Sequence, residues 1–206
     1  MHAERPPFHA VYHGPHPGLD YRLSRPFERW QAPHLIRSMQ AWLVQNPPRL
    51  ELATLGLEEL KVRREATLIK AEMAFAENSL SPIDWLNPAR KAVAQAFPKS
   101  WEGWAAAKRL GGTVYVILRD GYSAQNGFYG AYVGSTKQTL ERRFMEHRQS
   151  SRAGRGLPAH GIEPLFSLSL PLRKAPLARA ALLAWETRLN HALAEVVPKV
   201  SGDVVS

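Results

Sequence analysis

Arg143 and His147 stand four residues apart in the stretch GFYGAYVGSTKQTLERRFMEHR, residues 127–148, and Glu186 follows Arg143 by 43 positions. Positions i and i+4 of a helix stack on one face, so a guanidinium and an imidazole would be presented together. At about 100° per residue, Leu140, Phe144 and His147 share an apolar stripe. Arg143 lies on the flank of that stripe and Arg142 turns away from it. In the distal helix Glu186 falls among Leu182, Leu189 and Leu193, a carboxylate set where an apolar side chain is expected. Such a group is costly to bury unless it is paired, protonated or bound to a cation.

Each of these residues has a structural and a chemical reading. Arg143 can snorkel along the stripe with His147 at its boundary, and Glu186 can pair with a structural arginine. Alternatively, Glu186 holds a hard cation. Mg²⁺ or Mn²⁺ needs only one or two carboxylates when waters and phosphate oxygens complete the shell. A lone glutamate, an arginine and tyrosines on neighbouring strands would suit metal-assisted hydrolysis of a phosphodiester. A phenol or an imidazole would handle the proton of the attacking water.

Positioning these groups requires a sheet and two helices, and the C-terminal half supplies the patterns. TVYVIL (113–118) is a β-branched and aromatic run, RDGYSAQNG is turn chemistry, and AYVG (131–134) is a second strand. TKQTLERRFMEHRQS is helical. LFSLSLPL (165–172) alternates in period two, which predicts a third strand with Phe166, Leu168 and Leu170 on one face. PLARAALLAWETRLNHALAEVV predicts a closing helix. The order implies an α+β domain: a small, mostly antiparallel three-stranded sheet flanked by helices.

A mainly helical region precedes it. Residues 1–33 are rich in Pro, His and aromatics and read as irregular. HLIRSMQAWLVQ, LEELKVRREATLIKAEMAFAENSL and SPIDWLNPARKAVAQAF read as three helices, the middle one long and solvated on its charged side. WEGWAAAKRL then leads to Gly111 and Gly112, the best candidate for a junction. The expected division is 1–105, for targeting, regulation or docking to a protein partner, and 106–206 for the chemistry. His2, His9, His13, His16 and His34 cluster early, but without acidic or cysteine partners at ligand spacing they read as surface histidines.

The 206 residues carry 27 Lys+Arg against 18 Asp+Glu, a formal +9, which favours a polyanionic partner. Residues 1–105 contribute +2 of this and 106–206 contribute +7, so the charge sits with the candidate site. Lys137, Arg142, Arg148, Arg152 and Arg155 would track phosphates, supplying affinity rather than sequence specificity. The absence of cysteine excludes disulfides and thiolate metal sites. No apolar run reaches membrane length, and MHAERPPFHA lacks a signal-peptide core. A cytoplasmic protein is expected, with signal-independent export as the exception.

TVY (113–115), YVG (132–134), LERRFMEH (140–147) and WETRL (185–189) together resemble, in order, the motifs of the GIY-YIG nuclease family. The resemblance covers about 112–200, roughly half the chain. It implies a divalent-metal-dependent DNA endonuclease with Tyr115 and Tyr132 lining the site, one activating or positioning the nucleophilic water. It further implies Arg143 as the catalytic arginine, His147 as a contact to the site and Glu186 as the single acidic metal ligand. The first motif lacks its glycine, although Gly112 is adjacent. The gap of 17 from Tyr115 to Tyr132 exceeds the family's usual one, and Ser201 and Asp203 stand where many members have an asparagine. Two alternatives accompany this reading: a non-catalytic nucleic-acid-binding module of the same fold, and an antibacterial DNase toxin using the same chemistry.

Overall fold

Pro33 sits in the first turn of helix α1 (Ala32–Leu43), where its missing N–H costs no intrahelical bond. The structure, a computed structural model, describes residues 11–98, 111–121, 129–149 and 156–202. They fall into two units: Pro15–Leu86, and a second that begins at Asn87 and takes in residues 11–14.

In the first unit, α1 buries Leu35, Ile36, Met39, Trp42 and Leu43 and packs on α2 (Leu50–Arg63) and α3 (Leu68–Glu77). The segment ahead of α1 is irregular, as its composition implies, and buries Tyr21 and Phe27. His16 and His34 join an aromatic cluster, with ring centroids 5.5 and 4.8 Å from that of Trp30.

The long middle helix expected from the sequence is two helices. Arg64 adopts left-handed backbone at φ 55°, and the Glu65 N–H turns back to the Leu60 carbonyl at 3.1 Å, closing α2. Glycine usually marks such a cap and is absent here, so composition carries no sign of it. The preceding residue, Arg63, is anchored outside the helix on the carbonyls of Phe27, Glu28 and Trp30.

The second unit contains most of α4 (Leu86–Ala96), shorter at its start than the helical pattern suggested, then β1 (Thr113–Arg119) and β2 (Gly130–Thr136). Helix α5 (Leu140–Gln149) follows, then the single turn α6 (Leu157–His160) and β3 (Gly161–Pro164). The turn α7 (Phe166–Ser169), a 3₁₀ turn (Leu170–Leu172), α8 (Arg179–Ala194) and β4 (Val200–Ser201) complete it. The class is α+β. The sheet has four strands in the order β3-β1-β2-β4, antiparallel except where β4 runs parallel to β2.

The third strand is therefore 161–164, and 165–172, read from its alternation as a strand, is helical instead. Ser167 and Ser169 are as buried as Leu168 between them, so the alternation marks no solvent face. The segment still serves the sheet. Ser169 Oγ accepts the Val116 N–H at 3.0 Å and the Leu165 N–H donates to the Val116 carbonyl at 2.9 Å, so a helical turn satisfies the edge of β1. Val114 to Leu118 are fully buried, which gives the site a rigid floor. The expected segment 101–110, most of the expected loop at 119–127, Arg152, Arg155 and Asp203 lie outside the described residues. Among the described residues no helix is long and apolar enough to cross a membrane.

Candidate functional site

Strand register builds the site first. Tyr115 lies opposite Gly134 and Ile117 opposite Tyr132, so alternation puts both tyrosines on one face of the sheet as diagonal neighbours. Their ring centroids are 6.5 Å apart. A Cβ on residue 134 would come within 2.6 Å of the Tyr115 hydroxyl, so the glycine is what lets the Tyr115 ring lie across β2.

Helix α5 then delivers two side chains to that ring. The Tyr115 hydroxyl oxygen is 2.6 Å from His147 Nε2, and Arg143 Nε donates to the same oxygen at 3.3 Å. Tyr132 packs edge-on to His147, with centroids 5.6 Å apart. Phe144 and Leu140 are buried on the stripe with His147, while Arg143 remains 26 % exposed. Among these groups Arg143 is the one that reaches solvent appreciably, as its place on the flank of the stripe requires.

Burial governs the protonation of this cluster. It pushes the Tyr115 phenol well above its ordinary 10, the neighbouring Tyr132 adds to the shift, and the Arg143 hydrogen bond only partly opposes it. Burial, reinforced by the Arg143 charge, lowers His147 to about 4. Phenol and imidazole are thus both neutral near pH 7. With the His147 ring hydrogen on Nδ1, the Tyr115 O–H donates to Nε2 while its oxygen accepts from Arg143 Nε.

Glu186 is buried among Leu182, Leu189 and Leu193, as the helical pattern anticipates. Its charge acts on Tyr115, raising that phenol further, so carboxylate and phenol share one electrostatic environment. The oxygen-only character of Glu186, Tyr115 and Tyr132 fits a hard cation rather than a thiophilic one. Among the described residues no group of three or more His, Asp or Glu could by itself hold a metal. A cation at Glu186 would draw its remaining ligands from water and phosphate oxygens.

The outer cations are arranged less simply. Lys137, Arg142 and Arg148 are exposed along and just ahead of α5. Arg142 lies 3.6 Å from Glu146, which also sits 3.4 Å from Arg143, so one carboxylate moderates both arginines. Sequence reasoning passed over two contributors. Tyr12, in the segment ahead of Pro15, packs on Phe144 and Phe166 with centroids 5.6 and 6.1 Å away, bracing the helix that carries Arg143. Arg119, at the end of β1, donates from Nη1 to Ser201 Oγ at 3.1 Å. Alternation along TVYVILR places Arg119 on the face of Tyr115, a cue present in the sequence but inconspicuous in a run of buried strand residues.

Compared with protein-family models, curated proteins and solved structures, the chain matches none of them.

Proposed function

We propose that the chain is a GIY-YIG-type endonuclease that hydrolyses DNA phosphodiesters with the help of one divalent cation, Mg²⁺ or Mn²⁺, held by Glu186. The observation that carries this reading is the chain Arg143–Tyr115–His147: a cation and an imidazole joined through one phenolic oxygen, with a buried carboxylate whose charge acts on that phenol. When bound, the cation would neutralise charge on the scissile phosphate.

Arg143 is the partly exposed member of the cluster and contacts the phosphate, stabilising charge that builds on its oxygens. Tyr115 handles the water. Its phenol is too buried to act as a free phenolate, so it passes its own proton to His147 Nε2 as it accepts one from the attacking water. The water oxygen bonds to phosphorus, the P–O bond to the departing strand end breaks, and the leaving oxygen takes a proton from solvent. His147 then returns a proton to Tyr115 as Tyr115 releases one to solvent, which restores the starting state. A pKa near 4 makes His147 a reluctant acceptor, and the negative charge of an arriving phosphate raises it. Tyr132, packed against His147, orients the imidazole and lines the path of the water.

The test is cleavage of plasmid, duplex and single-stranded DNA, with RNA alongside, in Mg²⁺ or in EDTA. Metal-dependent cutting by the wild-type chain, lost in Glu186→Gln with DNA binding kept, supports the proposal. Wild-type rates in Glu186→Gln would refute the metal assignment. Binding with no cutting in any metal would leave the non-catalytic module as the reading.

A further inference from the structure

Resting on the nucleic-acid reading of this site, we infer that Arg119, held by Ser201, is a second phosphate-gripping residue, which takes a phosphodiester further along the strand from the one at Arg143. Arg119 belongs to the same strand face as Tyr115, four residues along β1, about 13 Å at ordinary strand rise. It thus lies at one end of the face while Tyr115 and Arg143 mark the other. Its partner on β2 is Gly130, which offers no side chain to fence the guanidinium away from β4. On β4, Ser201 pairs with Tyr132 in parallel register, so its hydroxyl stands beside the second tyrosine of the site.

The bond from Arg119 Nη1 to Ser201 Oγ, with Ser201 Oγ in turn donating to the Ala131 carbonyl at 3.3 Å, fixes where the guanidinium points. A hydroxyl orients a cation without contributing opposing charge. Gly156, at φ 78°, closes the other side: a Cβ there would come within 2.8 Å of Arg119 Nη2. Arg119 and Ser201 are both half-buried, whereas Tyr115, Tyr132, His147 and Glu186 are buried. Solvent therefore reaches this face at Arg143 and at the Arg119–Ser201 pair. A phosphodiester strand that follows the rim of this face from Arg143 to Arg119 meets a planar donor group at each end, the geometry that arginine offers to phosphate.

Arg119→Ala, Arg119→Lys and Ser201→Ala test this in the full-length protein, with binding of a DNA oligonucleotide measured in EDTA across a salt series. Arg119→Ala is expected to weaken binding about 5- to 10-fold, and to make the log–log dependence of affinity on salt shallower by about one. In cleavage, KM rises more than kcat falls. Arg119→Lys restores most of the salt slope, and Ser201→Ala gives a 2- to 3-fold loss with the slope kept. Folding is checked by circular dichroism, and the lysine and Ser201 variants serve should the alanine variant not fold. An unchanged salt slope and affinity in folded Arg119→Ala overturns the inference while metal-dependent cutting upholds the nuclease reading. A reduced slope in a protein that never cuts upholds the inference and overturns the nuclease reading.

Discussion

Glu59 in the helical unit, and Tyr115 with His147 in the sheet unit, are almost sealed from solvent, yet they end in opposite protonation regimes. Burial would push the Glu59 carboxyl up, but hydrogen bonds from Arg25 and Arg63 outweigh it, so its pKa falls and the group stays charged. The arginine donors not used on Glu59 reach the carbonyls of Phe27, Glu28 and Trp30 and the Glu28 carboxylate. At Tyr115 and His147 burial prevails instead, raising the phenol and lowering the imidazole, so both remain neutral. The helical unit buries a charge and satisfies it internally. The sheet unit buries groups that can exchange a proton and sets a cation at their edge. Polar residues of the first kind fasten a fold, and those of the second are poised for a ligand that brings charge.

Substitutions can break that contrast. The largest effect is expected for Tyr115→Phe, which keeps the ring and removes the hydroxyl through which the proposed proton transfer runs. Cleavage should fall by about 10²- to 10⁴-fold, with stability lowered by only about 1–3 kcal/mol as the buried His147 Nε2 loses its partner. Glu59→Gln should do the reverse, leaving the chemistry intact while lowering stability by about 2–4 kcal/mol in denaturant titrations. That is near the low side for a broken buried pair, because Arg25 is 37 % exposed.

Acid offers a third probe. His147 binds its proton less readily folded, at about 4, than its ordinary 6.5, so between these values the unfolded chain binds more protons. Its contribution to stability is full above pH 6.5 and is lost as pH falls toward 4. Wild-type melting temperature should drop through that window, and His147→Gln should flatten the drop. The smallest effect is expected at Tyr12. Tyr12→Leu should cost about 1 kcal/mol and slow cleavage a few-fold through a looser α5, while Tyr12→Phe, which keeps the ring contacts, restores both.

The placement of the candidate residues was more legible than the fold around them, for a physical reason. Arg143, His147 and Glu186 sit on helices whose period is fixed, so a stripe with a misplaced polar residue can be read directly. β1 and β2 announce themselves through β-branched and aromatic residues. The third strand could not be found the same way. Its four residues, GIEP, are too few to show a period, while the stronger alternation next to it belongs to a turn with both faces buried. The break at Arg64 is equally silent, since its left-handed backbone has no glycine to advertise it. Pairings made at a distance, such as Ser201 with Tyr132 or Tyr12 with Phe144, leave no local trace in a sequence.

Gly134 carries a consequence for genetics. Every single-base change that replaces a glycine with another amino acid adds at least a Cβ, and here that atom meets the end of a fully buried ring pinned by His147. In a scan of all substitutions, position 134 would be as intolerant as the tyrosines flanking it. It would be classed with the candidate site residues although it has no functional group to lose.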